Sequence, residues 1–127
     1  MKPDRSRYDL VVIGAGAAGS EAAFAAASPQ KRILLVEARH FGGTCTNHGC
    51  VPTKALVRAA RILHQARRAR EYGLRIPEPS FDWEAVMRRV QGVRDHMLRW
   101  GASPFQERGI EVANPATARL LGERWSR

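Results

Sequence analysis

Both cysteines of the chain fall in "GGTCTNHGC", residues 42–50. Two thiols at this spacing have three chemical uses: a metal clip, a structural staple or a redox couple. The metal reading recruits His40 and His48 beside Cys45 and Cys50, but the spacing lacks the paired C-x-x-C knuckles of structural zinc. The opening stretch, "MKPDRSRYDL", has no apolar h-region, so the chain reads as cytoplasmic. Structural disulfides are rare in that compartment. Redox use is the preferred reading. Pro52 then marks the first turn of a helix, and a sulfur at a helix start is favoured as the reactive thiolate.

A second constellation lies upstream. "GAGAAG", residues 14–19, matches the spacing G-x-G-x-x-G directly after an apolar run and before an alanine-rich one. Gly14 permits a tight turn, Gly16 lets backbone approach a pyrophosphate, and Gly19 lets helix and strand pack closely. The helix start offers its N–H groups and positive dipole end to phosphate. Glu37, at the end of the next apolar run, stands where a carboxylate accepts from a ribose hydroxyl. Its charge disfavours a 2′-phosphate, which points to an unphosphorylated adenosine, as in FAD or NAD.

The elements that must position these residues follow from the apolar pattern. "YDLVVI", residues 8–13, and "RILLVE", residues 32–37, read as buried parallel strands on either side of the helix "SEAAFAAAS". Together they form one βαβ unit. In "RAARILHQARRAR" and just before it, Leu56, Ala59, Leu63, Ala66 and Ala69 recur at helical spacing. Arg58, Arg61, Gln65 and Arg68 trace a solvated face. "YGLRIPEPS", residues 72–80, reads as a loop. A second long helix starts at Asp82 as N-cap, with a weak point at Gly92 and a break between Gly101 and Pro104. "IEVAN", residues 110–114, offers a third strand and "ARLLG", residues 118–122, a fourth. The order predicts an α/β fold with a parallel central sheet.

Composition sets the outer limits. With 127 residues, 44% of them hydrophobic and 26% charged, the chain reads as one soluble domain. No apolar run approaches the ~20 residues needed to span a bilayer, so no membrane partner is expected. The net charge of +9 raises nucleic acid as a partner. The basic residues are spread along the chain without an aromatic ladder, so that reading ranks last.

"GAGAAG", "VEARHFGGTC" and "GGTCTNHGCVPTKAL" together resemble the FAD-dependent pyridine nucleotide–disulfide oxidoreductases, a family that includes dihydrolipoamide dehydrogenase, glutathione reductase and mercuric reductase. "GIEVANPATARLLG" looks like the family's third strand and following turn, with Ala116 where glycine is common. "VRAARILH" is similar to the mercuric reductase branch. The resemblance implies a Rossmann-like FAD-binding domain with a three-layer build, incomplete in residues 1–127. It implies a catalytic disulfide, with Cys45 as interchange thiol and Cys50 as the charge-transfer thiol against the flavin. It places Gly14, Ala15, Gly16, Ala17, Ala18 and Gly19 at the FAD pyrophosphate. Glu37 and Ala38 fall at the adenosine ribose, and Gly42, Gly43, Thr44 and Cys45 along the cofactor. Lys54 falls near the flavin N5, and Ala118 near the adenine.

The same resemblance implies NAD(P)H as electron source and a small-molecule, disulfide or metal-ion substrate. It also implies a homodimer for the full-length enzyme. The nicotinamide-binding and dimerisation domains, with the partner-supplied histidine base, are expected outside this chain, so the 127 residues alone are expected to turn over poorly. A non-catalytic flavin- or nucleotide-binding module is the alternative.

Overall fold

The computed structural model describes residues 7–122. The first six positions and Glu123–Arg127, which hold most of the opening stretch and the "ERWSR" end, lie outside the described residues. In chain order the elements are β1 (Leu10–Ile13), α1 (Ala17–Ala26), β2 (Ile33–Val36), α2 (Gly43–His48) and α3 (Cys50–Arg67). A 3-10 turn (Ala69–Tyr72), α4 (Trp83–Leu98), α5 (Ser103–Gln106) and β3 (Glu111–Ala113) complete them. The chain forms two compact units: residues 1–43 with 100–127, and residues 44–99.

The first unit is the α/β sheet. Its strands run in the order β1-β2-β3. Both pairings are parallel, Leu10 opposite Ile33 and Leu34 opposite Glu111 at their first positions. Strand β2 lies in the middle and is the most apolar, as expected for a strand covered on both faces. Val12, Ala15, Ala23, Ile33, Leu35, Phe105 and Ile110 form the core. Phe105, on the short helix after the break at Gly101, stacks on Phe24 at 4.6 Å between centroids and on Phe41 at 5.7 Å.

The strand at 8–13 differs from the sequence expectation. Val12 points into the core, but Val11 and Ile13 are 46% and 59% exposed. The strand is therefore buried on one face only, because successive side chains alternate between faces and only the face of Leu10 and Val12 meets the core. The expected fourth strand at 118–122 is also corrected: no strand forms there, and Leu120 and Leu121 stand exposed. A short apolar run becomes a strand only when a partner edge takes its N–H and C=O groups, and this run finds none.

The second unit is a helical pair, α3 packed against α4. The apolar face read from the sequence is the one turned inward. Leu56, Ala59, Leu63 and Ala66 are half-buried and Ala69 is buried, while Arg58, Arg61, Gln65 and Arg68 are exposed. Asp82 caps α4 by accepting from the Ala85 N–H at 3.1 Å. The helix runs through Gly92 without interruption, so the expected weak point there does not appear. No helix among the described residues is long and apolar enough to cross a membrane.

Candidate functional site

The glycine loop leaves β1 and turns at Gly14, whose N–H donates to the Val36 carbonyl at 2.7 Å. Helix α1 then starts at Ala17, with Gly16 as N-cap. Gly19 is dictated by packing: a Cβ there would collide with the Gly14 carbonyl and press on Val12. No side chain caps the α1 N-terminus, and its first turn holds no acidic residue. The N–H groups of Ala17, Ala18 and Gly19 thus meet the requirement for an anion cradle, namely free donors at a positive dipole end.

Glu37, the residue after β2, is 9% exposed. Its Oε2 accepts from the Ala15 N–H at 2.8 Å and its Oε1 from the Arg39 N–H at 2.7 Å. Burial alone would push this carboxyl up. The backbone N–H groups of Arg39, Ala15, Ala38 and His40 outweigh burial and hold its pKa below the ordinary glutamate value. Ala15, expected among the pyrophosphate donors, therefore spends its N–H on Glu37. A carboxylate has about four lone-pair sites, and the Ala15 and Arg39 N–H groups occupy two of them.

Gly42 and Gly43 come to the same loop. The Gly42 N–H donates to the Ala15 carbonyl at 2.8 Å. Gly43 sits at φ +55°, and a Cβ on it would lie 2.8 Å from the Gly16 Cα. Gly43 is thus required by close backbone contact with the first glycine loop, and Gly42 by its positive φ of 82°. The sequence reading placed Gly42 and Gly43 along the cofactor and did not foresee this contact with the first glycine loop.

Thr44, exposed, follows Gly43 directly and belongs to the helical unit. There Cys45 on α2 and Cys50 at the first position of α3 are joined in a disulfide, with Cα atoms 4.8 Å apart. Cys45 is half-buried and Cys50 exposed. Gly49 stands between the two helices, and a Cβ on it would lie 3.3 Å from the Thr44 carbonyl. Lys54 is exposed on the first turns of α3. Among the described residues no group of three or more His, Cys, Asp or Glu side chains is arranged to hold a metal ion.

The structure thus brings Gly14–Gly19, Glu37, Gly42 and Gly43 into one cluster, and Cys45 and Cys50 into another seven residues or fewer farther along the chain. Ala38 is exposed in the turn after β2, and Ala118 is half-buried beyond the end of β3. One contributor escaped the sequence reading. Asn114, after β3, donates through Nδ2 to the carbonyls of Glu37, at 3.0 Å, and Arg39, at 3.3 Å. The only sequence signal was its Asn-Pro dipeptide, a mark of a turn.

Comparison with known proteins decides the family. The family model described as pyridine nucleotide-disulphide oxidoreductase matches residues 8–115. The chain belongs to the pyridine nucleotide-disulphide oxidoreductase family. Among its relatives is a dihydrolipoyl dehydrogenase of Chlamydia muridarum, 44% identical over 124 residues, which cover 91% of this chain and 26% of that protein. A dihydrolipoyl dehydrogenase of Bacillus subtilis is 35% identical over 117 residues, 91% of this chain and 25% of that protein. One of Zymomonas mobilis is 36% identical over 105 residues, 83% of this chain and 22% of that protein. The chain spans about a quarter of the length of these curated relatives. Within this family, the parallel α/β sheet with its glycine loop is the expected Rossmann-like arrangement.

Proposed function

We propose that the chain is the FAD-binding, disulfide-bearing segment of a flavoprotein oxidoreductase that moves electrons from NAD(P)H to a small disulfide substrate. The observation that carries the reading is the Cys45–Cys50 disulfide with Cys50 opening α3. The residues present suit FAD: an uncapped α1 N-terminus for its pyrophosphate and the Glu37 carboxylate for its ribose. When bound, FAD supplies two-electron transfer between a nicotinamide and the cysteine pair.

The chain's own residues do the rest. Ala17, Ala18 and Gly19 hold phosphate oxygens through backbone N–H groups, and Glu37 and Ala38 orient the adenosine side. Gly42, Gly43 and Thr44 line the cofactor, with Ala15 and Gly16 completing the loop and Ala118 beside the adenine. Lys54 places a cation where negative charge develops. Once the disulfide has been opened by two electrons and two protons, the Cys45 thiolate attacks a substrate sulfur and forms a mixed disulfide. Cys50 then attacks Cys45, the protein disulfide returns, and the substrate leaves as a dithiol. The α3 dipole favours the thiolate at Cys50.

A dithiol or disulfide substrate is favoured over a metal ion because the relatives above are named for dihydrolipoyl. A metal-ion acceptor is the second reading, supported by the likeness of "VRAARILH" to the mercuric reductase branch. The nicotinamide-binding part, the dimer surface and the histidine base belong to a homodimer longer than this chain, and turnover by the 127 residues alone is expected to be negligible. The test is the visible spectrum of the chain with FAD, before and after dithiothreitol. Bound flavin that gains a long-wavelength shoulder on reduction, absent in Cys50→Ser, is the expected result. Bound flavin with no shoulder would leave a binding module and sink the redox assignment.

A further inference from the structure

The turn at residues 37–39 is closed twice. From inside, the Arg39 N–H donates to the Glu37 carboxylate at 2.7 Å. From outside, the Asn114 amide bridges the carbonyls of Glu37 and Arg39 at 3.0 and 3.3 Å. The main chain beside Asn114 fixes where that bridge sits. Glu37 N–H donates to the Ala113 carbonyl at 2.9 Å, and Ala116 N–H donates to the Glu37 carbonyl at 2.9 Å. Asn114 is therefore held at the end of the β2–β3 ladder with its amide aimed at the turn. The same turn carries the carboxylate whose other oxygen reaches the Ala15 N–H of the glycine loop at 2.8 Å.

We propose that Asn114 is a positioning residue for nucleotide binding: by tying the Glu37 and Arg39 carbonyls together it fixes the turn that aims the Glu37 carboxylate at the glycine loop and at the adenosine ribose. The proposal rests on the nucleotide reading above and deepens it. Backbone donors alone leave the Arg39 carbonyl unbridged, so the turn is free to open away from Ala15. An alanine at 114 keeps the strand and removes only the bridge.

The effect on the turn is read without any ligand, by amide hydrogen exchange of the full 127-residue chain. In Asn114→Ala, the Arg39 and Ala15 N–H groups are expected to exchange about fivefold faster, since a lost bridge is worth roughly 1 kcal/mol. The Gly14 and Glu37 N–H groups, which belong to the sheet ladder, keep their protection. Asn114→Ser, too short to span both carbonyls, should behave alike and serves if the alanine variant does not fold. Unchanged exchange at Arg39 and Ala15 overturns the proposal. So does equal acceleration of the ladder amides, which would make Asn114 a general sheet residue.

A second readout addresses the nucleotide role. FAD dissociation constants for wild type, Asn114→Ala, Glu37→Gln and the double variant form a cycle. A residue acting through Glu37 weakens binding severalfold in the wild-type background and has little further effect once Glu37 is changed. Additive losses overturn that role. If the amides respond as expected and the wild-type chain takes no flavin, the clamp stands and the flavin reading falls.

Discussion

The sheet unit and the helical unit solve the same burial problem with unequal means. In the sheet, Ala15, Ala23 and Leu35 have no exposed surface and Ile33 and Ile110 nearly none. Three phenylalanines stack over them. In the helical pair, α3 has no fully buried residue and α4 has one, Val90. Its inward face is lined by half-buried alanines and leucines. Tyr72, Leu74, Ile76 and Phe81 are exposed along the connection between the helices, and Trp83 is exposed at the start of α4. A parallel sheet secures its core by ladder hydrogen bonds and two-sided coverage, whereas a two-helix pair buries one stripe per helix. Rigid geometry is thus concentrated where the glycine loop is held, and the disulfide sits on the less deeply packed unit.

Core truncations sharpen the contrast most. Leu35→Ala should cost roughly 2–5 kcal/mol by transfer and cavity terms, while Leu63→Ala, on the half-buried face of α3, should cost about 1 kcal/mol. Urea unfolding monitored by circular dichroism compares them, and equal costs would erase the distinction between the units. Next is Glu37→Gln. A glutamine cannot accept from both the Ala15 and Arg39 N–H groups, and leaving one unpaired costs on the order of 1–3 kcal/mol.

The same carboxylate gives the sheet unit an acid limit. Because its folded pKa is lowered, its contribution is complete above the ordinary value of 4.5 and is lost as pH falls through the lowered value. Acid unfolding followed at the sheet amides should show this loss, and Glu37→Gln should remove it. An acid transition unchanged in the variant would assign the limit to other groups.

Smaller effects belong to the helical unit. Asp82→Ala removes the cap of α4 and should cost about 1 kcal/mol, seen as faster exchange in its first turn with the sheet amides unmoved. The Arg68–Glu71 pair, joined through Nη2 and Oε2 at 2.6 Å, is half-exposed on both sides. Its removal by Glu71→Gln should shift stability slightly at low salt and not at all at high salt. A salt-independent loss would show that the pair does more than decorate the surface.

Much of this organisation was legible in the residues. The apolar runs located the strands to within two residues, and the 3.6-residue repeat of Leu56, Ala59, Leu63, Ala66 and Ala69 identified the inward face of α3. What stayed hidden depends on register between distant segments. Asn114 meets Glu37 across 77 residues, and Arg32 meets Glu111 across 79, where Tyr8 also donates to the same carboxylate. No local pattern announces such pairs, because strand register fixes them only after the sheet has formed. The run at 118–122 failed for the complementary reason: its composition suited a strand, but a strand also needs an edge to pair with.

Strand order also has a kinetic consequence. Pairing β1 with β2 closes a separation of 23 residues, from Leu10 to Ile33, whereas pairing β2 with β3 closes 77, from Leu34 to Glu111. For a flexible chain the longer closure costs about 1 kcal/mol more in entropy. Helices α3 and α4 lie inside that longer span, so their early formation would shorten the effective loop and speed the arrival of β3. Changes that weaken the helical pair should then slow completion of the sheet without touching it, and refolding of the Asp82→Ala chain, followed at the Glu37 amide, measures that delay.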